Sequence, residues 1–281
     1  MEVKKAAGIG FCMGVRRAID ILEEITTELG GVETLGAVVH NQQVLRRLDE
    51  IGVSIVNNIE QMRGNVLVVS SHGVGPKVMQ EIKTRNIKMV DTTCPFVKRA
   101  QVAARRLAES DFFTIVFGDL DHPEVKGILG WARDKGIATQ DAKTFIEIND
   151  LPRHLGVLSQ TTQVPADFAR FTTEIINHAL IKDSEIRIID TICHDIRRRQ
   201  VDTLALAKES ELVLVVGGQT SANSRHLYEL CTKITETHLI ETASDINKSW
   251  LKGKSQIGVT SGASTDEQTI DEVITRLESI D

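Results

Sequence analysis

Aromatic residues are scarce, at 4% of the 281-residue chain, and acids outnumber bases 39 to 33 for a net charge of −6. There is little to stack on bases and no overall field to attract a phosphate backbone, so a nucleic-acid partner is not expected. No apolar run approaches the ~18 residues that a membrane helix needs. The longest strong ones are Val66–Val69 and Leu212–Val216, so no membrane partner is expected either. The first fourteen residues, MEVKKAAGIGFCMG, lack the apolar stretch of roughly 7–15 residues that marks a secretory signal, which predicts a cytoplasmic protein. Only five prolines occur, with no Ser/Gly-rich linker, which predicts lobes packed together rather than tethered. Walker lysine, G-x-G-x-x-G and C-x-x-C motifs are all missing.

What is present is hydrophobic content of 41%, with 20 glycines and four cysteines, an ordinary globular composition. At ~150 residues per domain the length suggests about two domains, and three small ones satisfy it equally. In a reducing compartment, scattered cysteines point to metal binding or catalysis before disulfides. Three of them lie on a common ruler. Cys94 and Cys193 each close an Asp-Thr-x-Cys motif after a β-branched run. Twenty-four residues beyond Cys12, Cys94 and Cys193 stand Gly36, Gly118 and Gly217. At plus 28 stand His40, His122 and Ser221, and at plus 30 Gln42, Glu124 and Asn223.

Each unit then reaches a second strand-like segment with a polar end, at Ser71-His72-Gly73, Gln160-Thr161-Thr162 and Gly262-Ala263-Ser264. This threefold repeat predicts three small α/β lobes with mainly parallel sheets, at 1–94, 95–190 and 191–281, in a pseudo-threefold arrangement around a central site. After Cys12, apolar residues at helical spacing (Val15, Ile19, Leu22, Ile25, Leu29) predict an amphipathic helix. In open parallel sheets, ligands bind beyond the carboxyl ends of strands, where each of these polar motifs falls.

Each ruler cysteine stands at or just before a predicted helix start, where unpaired N–H groups favour a thiolate. Three thiolates fit either zinc with an open position or an iron–sulfur cluster with one iron free, and the spacing does not choose between them. Cys231 instead sits on an apolar helical stripe and reads as core packing. His40, His72 and His122 at corresponding strand ends, with Ser221, Asn223 and Ser264, are donors suited to an anion. Glu124 is a carboxylate among them, open to a proton-transfer role or to a plain helix N-terminal one. A zinc metallohydrolase using the same thiolates, with His72 or His122 and Glu124 as ligand and base, and a non-catalytic diphosphate-binding or redox-sensing module, both remain compatible with these residues.

Together the motifs Gly10-Phe11-Cys12-x-Gly14, Val39-His40-Asn41, Ser71-His72-Gly73, Thr93-Cys94-Pro95, His122-Pro123-Glu124-Val125-x-Gly127, Ser159-Gln160-Thr161-Thr162, Asp190-Thr191-Ile192-Cys193, Asn223-Ser224 and Gly262-Ala263-Ser264 resemble the LytB/IspH family, the iron–sulfur 4-hydroxy-3-methylbut-2-enyl diphosphate reductases of isoprene biosynthesis. The resemblance spans essentially the whole chain. It implies a [4Fe–4S] cluster on Cys12, Cys94 and Cys193, with the substrate hydroxyl on the fourth iron. It also implies a diphosphate held at His40, His72, His122, Thr161, Ser221, Ala222, Asn223 and Ser264, and proton management by Glu124 and Thr161. Two electrons from a ferredoxin or flavodoxin and two protons would remove the hydroxyl as water, giving isopentenyl and dimethylallyl diphosphates. The chain departs from the family pattern at Asp190, at His194-Asp195, at Asp266 and at Ala222, which stands where a serine often sits. A backbone N–H or a water would replace that hydroxyl.

Overall fold

The computed structural model describes residues 1–146, 152–181 and 183–280. The chain opens with β1 (Glu2–Lys5), α1 (Met13–Leu29), β2 (Val32–Leu35), α2 (Gln42–Glu50), β3 (Val53–Val56), β4 (Val66–Val69), α3 (Pro76–Thr84) and β5 (Lys88–Asp91). It continues through α4 (Pro95–Glu109), β6 (Phe113–Phe117), α5 (Pro123–Trp131), β7 (Gly136–Thr139), α6 (Ala142–Ile146), β8 (His154–Ser159), α7 (Pro165–Ile181) and β9 (Glu185–Ile188). Then come α8 (His194–Glu209), β10 (Leu212–Val216), α9 (Ala222–Thr232), β11 (Glu236–Ile240), α10 (Lys248–Leu251), β12 (Gln256–Ser261) and α11 (Glu267–Glu278).

The strands form three four-stranded sheets ordered β3-β2-β4-β5, β7-β6-β8-β9 and β1-β12-β10-β11, with parallel ladders. These are the three α/β lobes expected. In the first two sheets the strands, counted along the chain, lie in the order second, first, third, fourth. The remaining sheet has the same order only if β1 is counted as the fourth strand after β10, β11 and β12. This corrects the continuous range 1–94: Glu2 pairs with Gln256 and Val3 with Ile257, so the first strand belongs to the sheet of 191–281. Composition could not show this, because Glu2–Lys5 carries a single strongly apolar residue.

By compactness the chain divides into two units. One holds Met1–Val32, Ala37–Ser54 and the chain from His194 onward; the other holds Glu33–Gly36 and Ile55–Cys193. Central strands are buried on both faces, which is why β10 reads as an unbroken Leu-Val-Leu-Val-Val run. Its Leu212, Leu214 and Val216 pack with Ile257, Val259 and, from α11, Ile270, Val273 and Leu277. In the other unit, Ile115 and Phe117 of β6 and Leu155 and Val157 of β8 pack with Phe168, Phe171 and Ile175 of α7.

The helix after Cys12 is present, but its buried stripe is Gly14, Ala18, Ile19, Leu22 and Thr26, and Leu29 is 49% exposed. Small residues at 14, 18 and 26 turn the inward face away from the apolar spacing that predicted it. The ruler glycines act for different reasons. Gly36 has φ 72°, a left-handed backbone that side chains disfavour. A Cβ at Gly118 would stand 2.8 Å from Gln160 Cβ, and one at Gly217 2.4 Å from Ser224 Oγ. Their backbone role is nonetheless common: Gly36, Gly118 and Gly217 each donate N–H to the last residue of the neighbouring strand, Val56, Thr139 and Ile240.

Leu214 is fully buried in β10, so Leu214→Ala should destabilise the protein by about 2–5 kcal/mol. Urea unfolding checks this, and a change within ~0.5 kcal/mol, typical of surface sites, would refute the placement of β10 at the centre of that core.

Candidate active site

The three ruler cysteines share one backbone environment. Cys12 N–H donates to Ala263 O at 3.0 Å, Cys94 N–H to Ser71 O at 3.0 Å, and Cys193 N–H to Thr161 O at 2.9 Å. Each acceptor lies two residues beyond the third strand of its sheet, β12, β4 and β8 respectively. Cys12 and Cys94 are the N-caps of α1 and α4, with no side-chain bond to the helix, and Cys193 immediately precedes α8. Each thiol thus stands at a helix start, where the first N–H groups have no partner within the helix. None of the four cysteines is in a disulfide. Cys231, by contrast, is buried with Val213, Val215 and Leu227, and that burial pushes its thiol up to about 12. It is a core residue.

The Asp-Thr-x-Cys motif has a structural cause. Asp91 accepts Thr93 N–H at 2.9 Å, and Asp190 accepts Ile192 N–H at 3.0 Å, closing the same tight turn. Thr92 donates to the carbonyl of Val69 at 2.6 Å, and Thr191 donates to the carbonyl of Ser159, the last residues of β4 and β8. Near Cys12 the polarity is exchanged: Gly10 N–H donates to the hydroxyl of Ser261, the last residue of β12, at 2.9 Å. There Arg199 completes the anchor, donating to Ser261 O at 2.9 Å and Gly10 O at 2.7 Å. Arg199 is buried, which lowers its basicity, while the charges of Cys12, Asp195 and Asp202 oppose that shift. Its role was not read from the sequence. The available signal was its place on the inward stripe Ile196, Arg199, Gln200, Thr203 of α8.

In the same unit, Asn41 caps α2 by accepting from Gln43 and Val44 N–H at 3.0 and 3.3 Å. Beside it, His40 has its basicity lowered by burial and then by the charge of Arg225. Gly218 passes so close that a Cβ would stand 2.1 Å from the His40 carbonyl oxygen. Ser221 caps α9, accepting from Ser224 N–H at 3.4 Å. Asn223 is 4% exposed, yet neither its amide nitrogen nor its oxygen has a hydrogen-bond partner. A buried amide left unsatisfied is costly, and a polar ligand at the start of α9 would satisfy it. Ala222 offers no hydroxyl, but it is the first helical residue, whose N–H has no partner within the helix. Ser264 is buried after β12. Asp266 caps α11 through Thr269 N–H at 2.8 Å, which accounts for that departure from the family pattern.

In the other unit, His122 caps α5: its Nδ1 accepts Glu124 N–H at 3.2 Å. The neutral ring therefore carries its proton on Nε2. His72 meets His122 edge-on, with ring centroids 5.3 Å apart. Glu124 is 2% exposed and accepts Thr161 N–H at 2.6 Å and Thr161 Oγ–H at 2.8 Å. Burial pushes its carboxyl up to about 7, against the two bonds from Thr161 that pull it down. Thr161 also offers its carbonyl to Cys193, so carboxyl, hydroxyl and one thiol-bearing residue form a single connected path. Within this unit His72, His122, Glu124 and Thr161 are thus organised around the ends of β4, β6 and β8.

The chain matches the family model described as LytB protein over residues 3–278. It is 58% identical to a 4-hydroxy-3-methylbut-2-enyl diphosphate reductase of Dehalococcoides mccartyi, over 100% of this chain and 99% of that one. It is 37% identical to the enzyme so named in Geobacter metallireducens, over 100% and 98%. Among solved structures it is similar to an (E)-4-hydroxy-3-methyl-but-2-enyl diphosphate reductase described as the terminal enzyme of the non-mevalonate pathway. That likeness has a TM-score of 0.72 at 32% identity and covers 100% of both chains. The E-1-hydroxy-2-methyl-but-2-enyl-4-diphosphate reductase of Plasmodium falciparum superposes with a TM-score of 0.91 at 25% identity, over 99% of this chain and 88% of that one. Matched from its first strand to its last helix in sequence and in fold, the chain belongs to the LytB family.

Proposed function

We propose that this chain reduces (E)-4-hydroxy-3-methylbut-2-enyl diphosphate to isopentenyl and dimethylallyl diphosphates, the last step of the methylerythritol phosphate route, with a [4Fe–4S] cluster on Cys12, Cys94 and Cys193. The observation that carries the chemistry is Glu124, a buried carboxyl raised to about 7 and bound by Thr161. The donor set fits the cofactor: three cysteines in one repeated backbone setting at helix starts, and no fourth in the same register. When bound, such a cluster supplies electrons one at a time and Lewis acidity at the iron without a protein ligand.

The chain's own residues do the rest. His40, His72, His122, Ser221, Asn223 and Ser264 would hold the diphosphate, with the Ala222 N–H in place of the absent hydroxyl. The unsatisfied amide of Asn223 suits this role. Hydroxide is a poor leaving group, so a proton must arrive as the C–O bond breaks. Glu124 is largely neutral below pH 7 and can give that proton, and Thr161 Oγ, which donates and accepts at once, can relay it. Two protons and two electrons replace the hydroxyl by hydrogen and release water. An acidic one-electron carrier such as a ferredoxin or flavodoxin would supply the electrons.

Replacing Cys12, Cys94 or Cys193 singly by Ser should strip iron and visible absorbance, while Cys231→Ser should retain both. Equal losses at all four positions would overturn the ligand assignment. Because the acid must be protonated, turnover should fall as pH rises through about 7, the value to which burial raises Glu124. Glu124→Gln should keep its iron but lose at least ~10²-fold in turnover and the alkaline limb with it. Near-normal turnover of Glu124→Gln with a reduced viologen would show that the proton comes from elsewhere.

A further inference from the structure

The reduction proposed above consumes two electrons per turnover, delivered one at a time by another molecule, and electron transfer weakens steeply with distance. A carrier must therefore dock close to a cysteine-capped helix. The three such helices differ in charge. On α1, Arg16 and Arg17 are outweighed by Asp20, Glu23, Glu24 and Glu28, and Arg16 pairs with Glu267. On α8, Arg199 is buried and Arg198 stands 3.8 Å from Asp202. On α4, Lys98, Arg99, Arg105 and Arg106 are all exposed, and Glu109 is the only acid of the helix. Lys98 pairs with Asp91 at 2.6 Å and Arg105 approaches Glu109 at 3.7 Å, which still leaves this face net positive in a chain of net charge −6.

The same face has an apolar centre. Val102 is 37% exposed between the cations. Beside it opens a cavity of about 180 Å³ walled by Val74, Met79, Val102 and Trp131, with Lys98 and Arg105 also lining it. Trp131 is held in place by its indole N–H donating to Val74 O at 2.9 Å. An apolar centre with a polar rim is the anatomy of a protein-binding patch. At about 1.5 Å of rise per residue, Lys98 lies about 6 Å and Val102 about 12 Å along the helix from Cys94.

The geometry points to the exposed face of α4, with its adjoining cavity, as the docking surface for an acidic one-electron carrier protein. This rests on the proposed reductase function and places the donor's contact on one helix. Each docking event oxidises one carrier by one electron. Two such events supply the electron pair: the C–O bond breaks, the hydroxyl takes one proton and leaves as water, and the second proton joins the allylic carbon as the new C–H bond.

The test uses the anaerobically prepared holoprotein and a bacterial flavodoxin as probe. Arg105→Glu with Arg106→Glu, and separately Val102→Asp, should weaken flavodoxin binding about tenfold or more at low ionic strength and raise the KM for reduced flavodoxin. Turnover with reduced methyl viologen, which needs no docking surface, should stay unchanged. The control Lys248→Glu with Lys252→Glu makes the same charge change in the other compact unit and should bind flavodoxin as the unaltered protein does. Unchanged binding in both α4 variants, equal loss in the control, or binding of phosphatidylserine vesicles in place of flavodoxin overturns the assignment. Absence of viologen turnover in the unaltered protein would instead sink the reductase reading, and the binding measurement would still decide the docking surface.

Discussion

One backbone hydrogen bond, repeated three times, sets the position of the chemistry: the amide of each ruler cysteine donates to the carbonyl two residues past the third strand of a sheet. A parallel sheet leaves the peptides beyond its strand ends without ladder partners, and a following helix leaves its first N–H groups unpaired. The cysteine loop joins these two places. It satisfies a strand-end carbonyl with its own N–H and begins a helix with its own carbonyl, as in Arg16 N–H to Cys12 O and Lys98 N–H to Cys94 O, both 2.9 Å. The thiol is not used in this backbone pairing and stands at the positive end of a helix. The Asp and Thr of Asp-Thr-x-Cys at Cys94 and Cys193, and Gly10, Ser261 and Arg199 at Cys12, hold that loop.

Burial of Glu124 extends the same scheme to proton transfer. Enclosure raises its carboxyl toward 7, while the N–H and hydroxyl of Thr161 keep the charged form from becoming prohibitive. Thr161 is also the residue whose carbonyl holds Cys193, so the acid is positioned by the peptide that positions a thiol. A substitution at Thr161 therefore disturbs two functions through one residue. Asn223, buried with both amide atoms unpartnered, is the corresponding unfinished element of the other unit, suited to a ligand rather than to the fold.

Much of this was legible because parallel sheets write long signals. The strands Phe113–Phe117, buried after its first residue, and Leu212–Val216, buried throughout, have the bounds that their apolar runs suggest, and the glycine ruler corresponds to a repeated backbone bond. Cys231 was separable from the other cysteines by helical spacing alone. What escaped depends on partners distant in sequence. β1 is too short and too polar to announce that it pairs with β12, and Arg199 resembles its exposed neighbours Arg197 and Arg198 until its inward stripe is counted. The buried stripe of α1 differs from its apolar spacing because glycine, alanine and threonine face the core where that spacing assigns larger residues.

The central claim is that Cys12, Cys94 and Cys193 together serve one iron–sulfur centre. Iron, zinc and acid-labile sulfide analysis of the anaerobically purified chain tests it most directly, with the Cys231→Ser protein as a reference for thiol count. The account predicts about four irons and about four sulfides per chain, and no stoichiometric zinc. One zinc per chain without labile sulfide would contradict it and would restore the metallohydrolase reading of the same thiols.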